Sequence, residues 1–116
     1  ELMLDMNEQL FQKHAQQELL EIVRQLEAEI DREGLDIDVT CQDGVVEIDF
    51  DRGGKIVLNQ HLAMQEIWLA SRLGAHHFAC VPDGWFDTRS ALSLRTVLDE
   101  ALRIHSGGKL ALRADR

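Results

Sequence analysis

The hydrophobic period of this chain changes once, at Gly34, and that change limits the fold to helix packed on antiparallel sheet. From about Asp5 to Glu33 there is no Gly or Pro. Phe11, Ala15, Leu19, Ile22, Val23, Leu26 and Ile30 recur there at helical spacing, the apolar stripe of an amphipathic helix. Gly34 supplies its C-terminal stop. Beyond it Leu35, Ile37, Val39 and Cys41 alternate with Asp36, Asp38 and Thr40, the period of a half-buried strand.

Turn chemistry then divides the middle of the chain. Gln42-Asp43-Gly44 predicts a tight hairpin into a second strand, in which Val46, Ile48 and Phe50 alternate with Glu47 and Asp49. Arg52-Gly53-Gly54 leads to a third strand over Lys55–Asn59, and a fourth covers Glu66–Ser71 with Ile67 and Leu69 inward and Trp68 outward. Gly74 precedes a fifth strand over Ala75–Val81, and Pro82-Asp83-Gly84 a short sixth over Trp85–Asp87. Ser93 caps a second helix whose expected buried side carries Leu94, Val97, Leu98, Ala101, Leu102 and Ile104, and Gly107-Gly108 ends it.

Short turns imply antiparallel neighbours, and two helices suffice to cover one sheet face. The expected architecture is an α+β two-layer sandwich: an antiparallel five- to six-stranded sheet with the N- and C-terminal helices on one face. With 116 residues, one domain over 1–116 is expected. Residues 1–5 and the tail after the second helix are expected to lie outside its ordered part.

Charge separates the two halves. Residues 1–51 hold 15 acids and 3 bases, whereas residues 52–116 hold 6 acids and 9 bases, within a total of −9. That balance argues against nucleic acid, whose phosphates need clustered Lys and Arg, and against an anionic membrane surface. Cys41 and Cys80 lie far apart with no Cys-x-x-Cys pair, which fits a reducing compartment. No apolar stretch approaches a bilayer span, so a cytoplasmic protein is expected.

The acids concentrate where they are least expected. Glu27, Glu29, Asp31, Glu33, Asp36 and Asp38 crowd the end of the first helix and the start of the first strand. Asp36 and Asp38 share a strand face at about 7 Å, and each such pair repels by under about 1 kcal/mol in water. The helix dipole also disfavours negative charge at that end. Hard oxygen ligands suit iron and other divalent cations, and no loop wraps them into a closed cage. The plainer reading is a solvated acidic face.

Trp68 must point away from the helices if Ile67 and Leu69 point toward them. Such a Trp marks a contact surface or is covered by a neighbouring strand. Asn59, His61 and His77 share its face, His77 on condition that Phe78 is inward. Adjacent His76 and His77 face opposite sides and cannot ligate one ion. His14 and His105 read as surface residues, and Cys41, on the inward phase, as an inert core thiol. No nucleophile elbow, phosphate loop or paired-carboxylate cleft is present, so no enzyme is expected.

The segments together resemble the bacterial, CyaY-type frataxins. The resemblance rests on Leu35–Val39, Asp43–Phe50, Gly53–Asn59, Ile67–Ser71 with Trp68, Gly74–Phe78, the second Trp at 85 and Asp87–Ser90 before the last helix. It covers residues 8–113 and implies the same helix–sheet–helix fold. It further implies an acidic ridge (Glu27, Glu29, Asp31, Glu33, Asp36, Asp38) that binds Fe²⁺ or Fe³⁺ weakly, with other divalent cations able to substitute. That ridge would meet the cysteine desulfurase of iron–sulfur cluster assembly. The sheet face of Asn59, His61, Trp68 and His77 would meet the complex or its scaffold protein.

The implied role is a monomeric iron-binding accessory or regulator, an iron chaperone. Alternatives are a ferroxidase or iron-storing oligomer, and a metal-independent interaction module. The chain departs from the family pattern at His61 (usually Gln), Ala63 (usually Pro) and Glu66 (often Gln). Arg24 and Gln25 stand where a pair of acids is common in the first helix.

Overall fold

Asn7 starts the first helix by accepting the Leu10 N–H at 2.8 Å, in a computed structural model that describes residues 7–112. Helix α1 runs Glu8–Glu33, and the expected start near Asp5 lies outside the described residues. Its buried positions are Phe11, Ala15, Leu19, Ile22, Leu26 and Ile30, the stripe read from the sequence. Gly34 closes it in the left-handed conformation at φ 65°, and its N–H reaches the Ile30 and Asp31 carbonyls.

Six strands follow: β1 Ile37–Gln42, β2 Val45–Phe50, β3 Gly54–His61, β4 Glu66–Ser71, β5 Gly74–Val81 and β6 Gly84–Asp87. They form one antiparallel sheet in chain order. Asp43 and Gly44 both have positive φ, the two-residue turn whose twist matches a hairpin. Helix α2, Leu94–Ser106, is capped by the Ser93 hydroxyl at the Thr96 N–H.

Register divides the sheet into two faces. Val46, Ile48, Phe50, Ile56, Leu58, Ile67, Leu69 and Phe78 are buried in one core with both helices. Trp85 joins them, edge-on to Phe11 at 5.9 Å, and ties β6 to the start of α1. Burying such a set is worth about 1.5–3 kcal/mol per large side chain, and this holds the sheet to its helices. The opposite face carries Asp38, Asp49 and Lys55 in one cross-strand row and Gln42, Val45, Asn59, Trp68 and His77 in another.

Beyond α2, Leu110 and Leu112 are buried, and the Leu112 N–H donates to Asp99 at 2.9 Å. Three expectations are corrected. Ile104 is exposed instead of lying on the buried side of α2. Cys41 keeps the inward phase but is exposed. It sits on the edge strand, beside an open cleft lined by Gln12, Gln16, Leu20 and Leu62. His105 is buried instead of superficial. Its Nδ1 donates to the Gly53 carbonyl at 2.6 Å and its Nε2 accepts the Arg72 N–H at 3.1 Å. Those partners fix the neutral, Nδ1-protonated tautomer and join α2 to two strand turns.

Candidate cation ridge and docking face

The last two turns of α1 place Glu27 and Asp31 in solvent, with Glu29 half-buried. Asp36 follows in the connection to β1, and Asp38 projects from β1 on the outer face of the sheet. The six carboxylates therefore run from the helix end around the exposed edge of the sheet. Among the described residues, no three Asp, Glu, His or Cys side chains converge as a metal cluster. What the ridge offers is a line of separate oxygen donors suited to a hydrated cation or a basic surface.

Two features of the ridge escape sequence reading. Arg32 stands within it, 2.7 Å from Glu29 and 2.9 Å from Glu33. Hydrogen bonding to Glu29, with the charges of Glu29 and Glu33, pushes the Arg32 pKa above its ordinary value. Helical spacing alone could have suggested the pair with Glu29, three residues away. The second is Asp49, directly opposite Asp38 in the β1–β2 ladder. Counting outward from Asp43-Gly44 gives that pairing, and it adds a carboxylate to the ridge's sheet end. The inner end stops earlier, since Arg24 pairs with Glu21 and Gln25 is bound to Arg95 of α2 at 2.7 Å.

On the outer sheet face the structure brings the four expected residues together. Asn59 on β3, Trp68 on β4 and His77 on β5 are cross-strand partners, and His61 lies two residues beyond Asn59. The His61 ring stacks on Trp68 at 3.9 Å between centroids, and the His77 ring stacks at 4.2 Å. Interplanar angles of 14° and 9° make the three rings nearly parallel. Trp68 is thus both outward and covered, with its edge rather than its faces presented to a partner.

Glu66 is the residue that sequence reading left without a role. Although it belongs to the outer face, it is buried, and its carboxylate accepts the Trp68 Nε1–H at 2.8 Å. That bond fixes the indole's orientation. Asp87 supports the same region from β6, accepting the His77 N–H at 3.2 Å and the Ser90 N–H and hydroxyl at 2.8 Å. Burial pushes the Asp87 carboxyl pKa up, but the bonds from Ser90 and His77 outweigh it and hold the group below the usual carboxylate range.

A family model described as "Frataxin-like domain" matches residues 4–108. The chain belongs to the frataxin family. It is 35% identical over 107 residues to the iron–sulfur cluster assembly protein CyaY of Cupriavidus necator, a match spanning 92% of this chain and 96% of that one. To the Vibrio cholerae protein of the same name it is 36% identical over 84 residues, covering 72% and 81%. The fold matches the frataxin of Psychromonas ingrahamii with a TM-score of 0.76 at 24% identity, over 94% of this chain and all of that one. A trimeric yeast frataxin from Saccharomyces cerevisiae, solved in a ferrous complex, aligns with a TM-score of 0.70 at 26% identity, over 80% and 85%. The two-layer α+β fold read from hydrophobic period and turns, and implied by the resemblance, is therefore the fold observed. No helix among the described residues is long and apolar enough to cross a membrane.

Proposed function

We propose that this frataxin-family chain is a non-enzymatic accessory protein of iron–sulfur cluster assembly that binds iron weakly along the Glu27–Asp38 ridge and docks on the assembly machinery. The single observation that carries the reading is the ridge itself: six carboxylates on adjoining elements with Arg32 as the one basic residue among them. Relatives at about 35% identity carry the name of iron–sulfur cluster assembly proteins, and a yeast frataxin was solved in a ferrous complex.

Iron here is cargo. Separate, exposed carboxylates exchange ligands quickly and favour no ion by geometry, so other divalent cations compete. The same acids suit a basic surface of the cysteine desulfurase, where charge complementarity speeds encounter. The Asn59, His61, Trp68 and His77 face then serves the scaffold protein, with the chain acting as a monomer in the cytoplasm.

Anaerobic titration of ¹⁵N-labelled protein with Fe²⁺ tests the metal role. Amide signals of residues 27–38, with Asp49 opposite, broaden first while those around Trp68 persist. Uniform broadening, or none, would exclude the ridge as the iron surface.

A further inference from the structure

The chain closes one edge of its sheet and leaves the other open. At β6 the following segment folds back: Phe86 is bridged to Ser93, and the Asp87 N–H donates to the Leu92 carbonyl at 2.8 Å. At the far side β1 pairs with β2 alone. The two-residue turn at Asp43-Gly44 decides which backbone groups of β1 that pairing uses. Gln42 and Val45 close the turn, so bonds are exchanged between Gln42 and Val45, Thr40 and Glu47, and Asp38 and Asp49. The Gln60 N–H, bonded to the Gly44 carbonyl at 3.0 Å, fits the same alternation by turning Val46 and Ile48 toward β3. The N–H and C=O groups of Ile37, Val39 and Cys41 therefore point outward. Among the described residues no hydrogen bond occupies them.

The surroundings of this edge define what could pair with it. Helical steps of three and four put Gln16, Leu20, Val23, Glu27 and Asp31 on one flank of α1. Gln16 and Leu20 line the cleft beside Cys41, and Leu20 is exposed. The opposite flank is committed to α2, where Glu18 and Gln25 hold Arg95. On the outer face Asp38 lies beside Asp49. Glu27, Asp31, Asp36, Asp38 and Asp49 form no ion pair among the described residues. The edge is thus a free hydrogen-bond ladder with an apolar helix flank near Cys41 and uncompensated acids near its start. Those acids reject the chain's own edge. A second β1 would add another Asp36 and Asp38 to a row already holding Asp49, and like charges across a ladder destabilise it.

We propose that the basic partner of the ridge docks by adding a strand to β1. An extended segment of about six residues covers the edge, pairing its backbone with Ile37, Val39 and Cys41. Lys or Arg at alternate positions faces Asp36 and Asp38, and the side chains between them lie along Leu20 and Glu27 of α1. This rests on the ridge docking proposed above and states how it is made. Backbone pairing supplies affinity that exposed ion pairs alone do not, and the acids select a basic segment for it.

Calorimetric titration of the cognate cysteine desulfurase with the wild type, Cys41→Pro and Cys41→Ser tests the added strand. Pro at this position removes one outward N–H and puts a ring in the path of an incoming strand, while the ladder to β2 keeps its bonds. Cys41 is exposed, so little packing is lost, and the Ser variant controls for the thiol. Cys41→Pro is expected to weaken binding about tenfold, with Cys41→Ser unchanged. Equal affinity of the Pro and Ser variants overturns the added strand. If an Asp31→Lys, Asp38→Lys variant still loses affinity, the ridge remains the docking surface; if it too binds as the wild type does, both readings fall.

Amide hydrogen exchange on the unaltered chain decides the question should Cys41→Pro fail to fold. The Val39 and Cys41 amides are expected to slow about tenfold or more in the desulfurase complex. Those of Asp38 and Thr40, already bonded to β2, change little. Val39 and Cys41 amides that exchange as fast in the complex as in the free chain would overturn the proposal. Slowing of the same two amides in the chain alone, rising with its concentration, would assign the edge to a second copy and overturn the basic occupant.

Discussion

In the last turn of α1 the Arg32 guanidinium lies within 3 Å of both Glu29 and Glu33, so the ridge contains its own counter-charge before any ion arrives. A cation that uses either carboxylate must compete with Arg32, whereas Glu27, Asp31, Asp36 and Asp38 have no ion pair among the described residues. Removing the guanidinium should therefore strengthen cation binding. Arg32→Gln is expected to tighten Mn²⁺ or anaerobic Fe²⁺ about threefold by calorimetry, in keeping with the modest strength of exposed ion pairs. Unchanged affinity would place the bound ion away from Glu29 and Glu33. His105 poses a different problem at the same scale. Its ring satisfies the Gly53 carbonyl and the Arg72 N–H inside the fold, and Phe50 packs against it at 5.2 Å. His105→Ala leaves both groups unsatisfied and opens a void, at a cost of about 2–4 kcal/mol in urea unfolding. A loss under about 1 kcal/mol would show that solvent replaces both bonds.

At the scale of elements, the turn between β2 and β3 is held as closely as any part of the fold. A side-chain carbon added at Gly53 would lie 2.0 Å from the His105 carbonyl oxygen, so the turn and the end of α2 would have to separate. Gly53→Ala should destabilise by about 3 kcal/mol or more. Gly34→Ala meets only open space and costs about 1 kcal/mol, from its positive φ alone. Thermal unfolding of the two variants separates close approach from backbone strain. This corner also shows where sequence stops being informative. Apolar period and turn residues are local, so the C-terminal end of α1, the six strands and the Ser93-capped helix were legible within a residue or two. The role of Gly53 depends on a contact 52 positions away, and so does the burial of His105. On the outer sheet face the phase of β3, β4 and β5 put Asn59, His61, Trp68 and His77 together. Ring stacking and the burial of Glu66 needed side-chain geometry that periodicity does not carry. Cys41 marks the converse limit, because an inward phase guarantees burial only where a helix covers the strand.

For the whole molecule, the decisive property is how charge is distributed over a fold with one covered and one open sheet face. The core uses the covered face and fixes the open one in place. The acids run round the β1 edge, while Trp68 lies three strands farther on in β4 and its histidines in β3 and β5, so the two surfaces share no residue. Divalent cations and a basic protein would compete for the first surface, and neither should affect the second. The most direct measurement is calorimetric titration of the cognate cysteine desulfurase with the wild type and with a Glu29→Lys, Asp31→Lys, Glu33→Lys variant, folding being checked by melting temperature. If the ridge is the desulfurase surface, the triple reversal weakens binding at least a hundredfold at low salt while scaffold binding through Trp68 persists. Equal desulfurase affinity in the two proteins would contradict it.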